Sequence, residues 1–133
     1  MSALAQVFDT YWVETLGRTG IFPIMHVVGI RKELAQQHRW LPGAVFKAFS
    51  QSKQKALELL EDTSATKVTL PFVEEQLKAA RDTLGQDFWS YGVEGNRKTL
   101  DAFLHHHHAQ GLSSKRMAIE ELFDPSTYES YSI

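Results

Sequence analysis

The sequence predicts a helix-rich α/β unit with few strands. Apolar residues recur at helical spacing through several segments, which argues for amphipathic helices. One stretch is different. Residues 21–30, IFPIMHVVGI, form a nearly unbroken apolar run with β-branched residues. Such a run is the mark of a strand buried on both faces, as in a parallel sheet. No second run of this quality accompanies it, so the expected strand has no obvious neighbour in the chain.

The elements follow in order. SALAQVFDTYWVETLG reads as a helix, with Leu4, Phe8, Tyr11 and Trp12 at helical spacing and Gly17 placed to end it. A loop RTG (18–20) leads to the strand. Pro23 lacks a donor N–H and marks the strand start or an edge, and His26 shares a face with Ile24, Val28 and Ile30. RKELAQQH (31–38) is a short polar helix, and Pro42 near the first turn opens a long one. Its inner stripe is expected at Val45, Phe49, Ser52, Ala56, Leu59 and Leu60. A linker over 62–70 holds a short strand at Lys67–Leu70. Pro71 begins the next helix, with Val73, Leu77, Ala80 and Leu84 inward and Gly85 as its stop. QDFWSYGVEGN (86–96) is an aromatic loop, and Asn96 is placed to cap a helix over 97–110 that Gly111 ends. Ser113 is expected to cap a last helix, with Leu112 and Met117 as a hydrophobic staple. Pro125 stops it.

Length and composition bound the function. The chain of 133 residues fits one unit over 1–133, with a loosely held tail from about 126. Hydrophobic residues make up 43% and charged residues 23%, as in ordinary soluble domains. A net charge of −2 argues against nucleic acid as a partner. No apolar run reaches the length of a membrane helix, so no membrane partner is expected. The start of the chain lacks the basic region of a signal peptide, which favours the cytoplasm. Cysteine is absent, which excludes disulfides, thiolate metal sites and cysteine nucleophiles.

The loudest chemical signal is HHHH at 105–108. On a helical wheel advancing about 100° per residue, His107 falls near Leu100 on the buried stripe and His108 on its flank. His105 and His106 point to solvent. Only His105 and His108 are neighbours able to share an ion, and no third ligand is indicated. The run reads as the last turn of an amphipathic helix, where imidazolium suits the negative end of the dipole, and no metal site is assigned.

Two other stretches are stronger candidates. In GRTGIFPIMHVV (17–28), Arg18 can grip a carboxylate through paired hydrogen bonds, and Thr19 adds a hydroxyl. His26 is a lone imidazole in an apolar strand. It is either a core histidine satisfied by a backbone carbonyl or an acid or base facing a cleft. In DFWSYG (87–92), Trp89 and Tyr91 either wall a pocket for an aromatic ligand or plug the core. No phosphate loop, nucleophile elbow or dinucleotide fingerprint is present.

The blocks RTGIFPIMHVVGIRKEL, KVTLPFVEEQL, DFWSYGVEGNRKTLDAFL, HHAQGLS and EELFDPST together closely resemble the C-terminal part of the 4,5-dihydroxyphthalate decarboxylase family, from about Tyr11 to Thr127. The chain departs from the family's pattern at Arg39 and Ser90, where relatives tend to carry proline. The resemblance implies a C-terminal piece of a two-lobed, periplasmic-binding-protein-like (type II) fold, with the ligand cleft between the lobes. It implies a carboxy-lyase that turns a small aromatic carboxylate, 4,5-dihydroxyphthalate, into 3,4-dihydroxybenzoate without a cofactor. On that reading His26 donates a proton or partners the phenol, Arg18 and Thr19 contact carboxylate, and Trp89 and Tyr91 line the site. Two other readings stay open: a solute-binding module that binds a carboxylate without turnover, and an inactive fragment that self-associates. The partner that completes the chain is then either a second copy or a missing N-terminal lobe.

Overall fold

Helix-forming segments punctuated by glycine and proline account for most of what folds. A computed structural model describes residues 14–62, 64, 69 and 71–128. In order, the helices are α1 (14–19), α2 (Lys32–Gln37), α3 (Leu41–Glu61), α4 (Val73–Leu84), α5 (Arg97–Ala109) and α6 (Ile119–Leu122). Single 3₁₀ turns at Glu94–Asn96 and Pro125–Thr127 precede α5 and follow α6.

The described residues contain no β-strand. The strand expected over 21–30 is a correction: residues 20–31 carry no regular structure, and Met25, Val27 and Val28 are 61, 70 and 62% exposed. The reason is pairing. A strand persists only when a neighbour takes up its N–H and C=O groups, and the described residues offer none. The short strand expected at 67–70 lies largely outside the described residues, as do Leu4, Phe8, Tyr11 and Trp12.

Several helix boundaries also differ from expectation. Gly17 does not end α1; the helix continues through Arg18 and Thr19 and stops at Gly20, which is left-handed at φ 64°. α4 starts at Val73, two residues after Pro71, behind a left-handed Phe72 at φ 60°. Its inward face is as expected, with Leu77 buried and Val73, Ala80 and Leu84 half-buried. Gly85 (φ 93°) and Gly111 (φ 75°) close α4 and α5, where a left-handed residue is needed and glycine carries no Cβ penalty. The last helix is the single turn α6, not a helix from Ser113. The N–H of Ala118, the residue just before it, donates to the Glu121 carboxylate at 2.8 Å. The hydroxyl of Ser113 instead donates to the Lys115 carbonyl.

α3 is rotated from its expected facing. Pro42 and Ser50 are buried, Val45, Phe46, Lys53, Leu57 and Leu60 are half-buried, and Phe49, Ser52, Ala56 and Leu59 are exposed. Apolar residues occur on both sides of this helix, so periodicity alone did not decide which side packs. The packed side faces α2, α4 and the 3₁₀ turn at Pro125–Thr127. An Arg81–Glu61 ion pair ties α4 to the end of α3.

The main core is small. Val93, Leu100, Leu104 and Ile119 are buried together, with Met117, Phe123 and Tyr128 packed against them. Leu100 and Leu104 lie one turn apart on α5, so α5 buries one stripe against α6 and the chain's end. Of the tail expected from about 126, the Thr127 and Tyr128 carbonyls accept from the Val93 and Glu94 N–H groups at 3.2 and 2.9 Å. Residues 129–133 lie outside the described residues.

At the mouth of this core, Arg97 bridges two carboxylates, Glu94 at 2.6 Å and Glu120 at 2.9 Å. The hydrogen bonds from Arg97 hold both carboxyls below their ordinary range, and Glu94 and Glu120 in turn raise the Arg97 guanidinium. Carboxyls with depressed folded-state values stabilise the fold above their unfolded values, and that contribution is lost as pH falls through the folded ones. Thermal melts between pH 6 and pH 3 should therefore show falling stability, and Arg97→Met should flatten that slope. Because the pairs are exposed, the effect is small. Core and surface on α5 should separate clearly in urea titrations: Leu104→Ala costs about 2–5 kcal/mol, whereas Phe103→Ala, 61% exposed, changes stability by about 0.5 kcal/mol or less.

Candidate functional site

The aromatic loop between α4 and α5 is the best-organised polar and aromatic cluster in the described residues. Gly85 ends α4, and the chain turns through residues 86–89. Gly92 is left-handed at φ 90°, and a Cβ there would meet the Tyr128 carbonyl oxygen at 3.3 Å and the Phe46 ring at 3.4 Å. Asn96 holds the position before α5 as expected but does not cap it with its side chain. Its amide donates instead to the Ser90 and Gly92 carbonyls at 3.0 and 2.9 Å, which pins the loop.

Lys53 of α3 reaches into this loop. Its ammonium pairs with Asp87 at 2.7 Å, donates to the Trp89 carbonyl at 3.1 Å, and stands 4.9 Å from the centre of the Tyr91 ring. The Lys53 side chain is only 18% exposed. One cation thus joins a carboxylate, a carbonyl and an aromatic face, which adds a cation–π attraction to the ion pair. The Trp89 ring meets Phe22 edge to face at 5.9 Å, and the Thr99 hydroxyl donates to the Phe22 carbonyl at 3.3 Å. Through Phe22, the segment after α1 is laid across the loop and the start of α5.

Of the residues singled out in the sequence, Trp89 and Tyr91 share this neighbourhood. Arg18 and Thr19 lie on the last turn of α1, just before Gly20 and Phe22. Arg18 is exposed and pairs with no carboxylate among the described residues. Thr19 is engaged locally: its hydroxyl donates to the Thr15 carbonyl and accepts from the Ile21 N–H at 3.1 Å. His26 is exposed in the irregular segment, four residues beyond Phe22, with no hydrogen-bond partner among the described residues. The structure therefore gathers the aromatic pair and leaves His26 outside the cluster. Sequence reading missed Lys53, Asp87 and Phe22. With α3 correctly faced, Lys53 continues the stripe of Pro42, Phe46 and Ser50. A lysine in that stripe is the signal that points to a charged partner across the packed side, here the Asp87 carboxylate.

The histidine run behaves as helix surface. His107 is half-buried with its ring 5.6 Å from Phe103, His105 and His106 meet edge to face at 5.3 Å, and the His108 Nδ1 faces the Ser113 carbonyl at 3.2 Å. Among the described residues no three His, Asp or Glu side chains converge as a metal site would require. An open groove of about 350 Å³ lies between α3 and α4, lined in part by Glu61, Glu74, Lys78, Arg81 and Asp82. Three carboxylates against two cations make it a poor receptor for an anion. No helix among the described residues is long and apolar enough to cross a membrane.

A curated 4,5-dihydroxyphthalate decarboxylase from Comamonas testosteroni is 57% identical to the chain over 122 residues. The resemblance to 4,5-dihydroxyphthalate decarboxylase holds. The matched stretch is 92% of this chain but only 36% of the relative, so the chain spans about a third of the length of the protein it matches. That is consistent with a C-terminal portion of the decarboxylase. No family model matches the chain.

If Lys53 clamps the loop, its energy is shared with Asp87. Lys53→Met and Asp87→Asn should each speed amide exchange over 86–91, and the double variant should be less destabilised than the sum of the two. Strict additivity in urea titrations would show that the pair does not form in solution.

Proposed function

We propose that the chain is the C-terminal portion of a decarboxylase acting on a dihydroxylated aromatic dicarboxylate, with 4,5-dihydroxyphthalate as substrate and 3,4-dihydroxybenzoate as product. The observation that carries this reading is the 57% identity to the Comamonas decarboxylase. The complete protein on this reading has two lobes of the periplasmic-binding-protein type, with substrate between them.

The chemistry needs no cofactor. Each carboxylate of the substrate has a hydroxyl para to it. Deprotonation of that hydroxyl pushes an electron pair into the ring, and the ring carbon bearing the carboxylate accepts a proton. The carbon–carbon bond then breaks, its electrons restore aromaticity, carbon dioxide leaves, and the phenolate is reprotonated. The net change is one proton taken up and one carbon dioxide released. In this scheme His26 delivers the proton to the ring or partners the phenol. An imidazole has both a donor and an acceptor nitrogen, which suits both roles. Arg18 and Thr19 hold the carboxylate that stays, and Trp89 and Tyr91 wall the ring. Thr19 contributes only by leaving its bond to the Thr15 carbonyl, so Arg18 carries most of the anchorage.

A second reading applies to the chain by itself. The exposure of Met25, Val27 and Val28 around His26 favours an isolated chain that is inactive because half of its site is elsewhere.

A chimera tests the proposal: this chain replaces the matching 122 residues of the Comamonas protein. The chimera is expected to release carbon dioxide and 3,4-dihydroxybenzoate from 4,5-dihydroxyphthalate, and His26→Ala should lower kcat by about 10²–10⁴-fold. Unchanged turnover in His26→Ala removes His26 from the mechanism. A folded chimera that binds the substrate without turning it over favours a binding module instead.

A further inference from the structure

The segment after α1 carries a row of exposed apolar residues. Ile24, Met25, Val27 and Val28 are 37, 61, 70 and 62% exposed within five consecutive residues. A monomeric domain scatters exposed hydrophobes singly and rarely lines them up. The backbone here is as unsatisfied as the side chains. From Pro23 to Ile30 no N–H or C=O has a hydrogen-bond partner among the described residues. Apolar, β-branched side chains beside open backbone groups are what an unpaired strand presents to a sheet edge. The segment is held at one end, where the Thr99 hydroxyl bonds to the Phe22 carbonyl.

The occupant follows from the relative's length. The chain matches only 36% of a protein to which it is 57% identical. A stretch this similar keeps the packing surfaces of its relative, and most of the relative's chain lies outside the match. We infer that residues 24–29 form the docking surface for the polypeptide equivalent to the unmatched remainder of the decarboxylase. The segment joins a sheet of that remainder as an added strand, with both its faces covered. This concerns assembly and does not rest on the catalytic reading: a protein that docks this way without decarboxylase activity satisfies it equally.

Hydrogen exchange on the isolated chain and on the folded chimera described above tests the inference, with sedimentation to give the isolated chain's association state. In the isolated chain the amides of residues 24–29 should exchange freely, and a Val27→Lys, Val28→Lys double variant should leave Tm unchanged. In the chimera the same amides should slow by about a hundredfold or more, and the double variant should lower Tm by about 4 °C or more. A cooperatively folded chimera whose residues 24–29 still exchange freely overturns the inference, as does a chimera that fails to fold cooperatively. A dimer of the isolated chain with these amides protected also overturns it and assigns the surface to a second copy.

Discussion

At Gly92 the backbone turns left-handed, and the N–H groups of Val93 and Glu94 meet the carbonyls of Thr127 and Tyr128. This closure joins the start of α5 to the far end of the described chain. It places Val93, only 2% exposed, at the centre of the core with Leu100, Leu104 and Ile119. A Cβ at residue 92 would press on the Tyr128 and Thr127 carbonyls and on Phe46 at once, in a conformation that already disfavours any other residue. The same turn bends the aromatic loop back toward α3, where Lys53 and Asn96 take hold of it. Core and candidate site therefore share one backbone constraint.

Against this, the segment after α1 shows what the fold lacks. Burial of an apolar side chain contributes about 1.5–3 kcal/mol, and chain ordering consumes most of such gains. With few buried hydrophobes, the small core has little surplus for ordering a further ten residues. A strand gains its stability from paired backbone and covered faces together, and neither is supplied locally. The irregular path of residues 20–31 is the physical result.

The proposed site is divided in the same way. Trp89 and Tyr91 are held by Lys53 and Asn96 within the folded part, with Phe22 of the irregular segment against the Trp89 ring. His26 lies in the part with no internal support. A general acid needs fixed geometry within hydrogen-bond reach of its target. Seating of residues 24–29 on the rest of a longer protein would supply that, and would make chemistry conditional on assembly.

Much of this was legible from residue types alone. The helices expected over 31–38, from near Pro42 to the linker at 62, and over 97–110 are present with small shifts at their ends, and the stops at Gly85 and Gly111 followed from glycine's access to left-handed backbone. The exposure of His105 and His106 and the half-buried place of His107 followed from 100° steps around a helix, although the His105 and His106 rings meet; the likeness to the decarboxylase followed from its sequence blocks. Other features were decided only in three dimensions. α3 carries apolar residues on two sides, so its neighbours chose the buried one and brought Lys53 to Asp87. Asn96 and Thr19 put their side chains to uses that depend on where the adjoining turns run. The run IFPIMHVVGI declares a strand by composition, but a strand exists only with a partner. Local sequence sets a segment's preference; the groups that satisfy its backbone come from elsewhere in the fold.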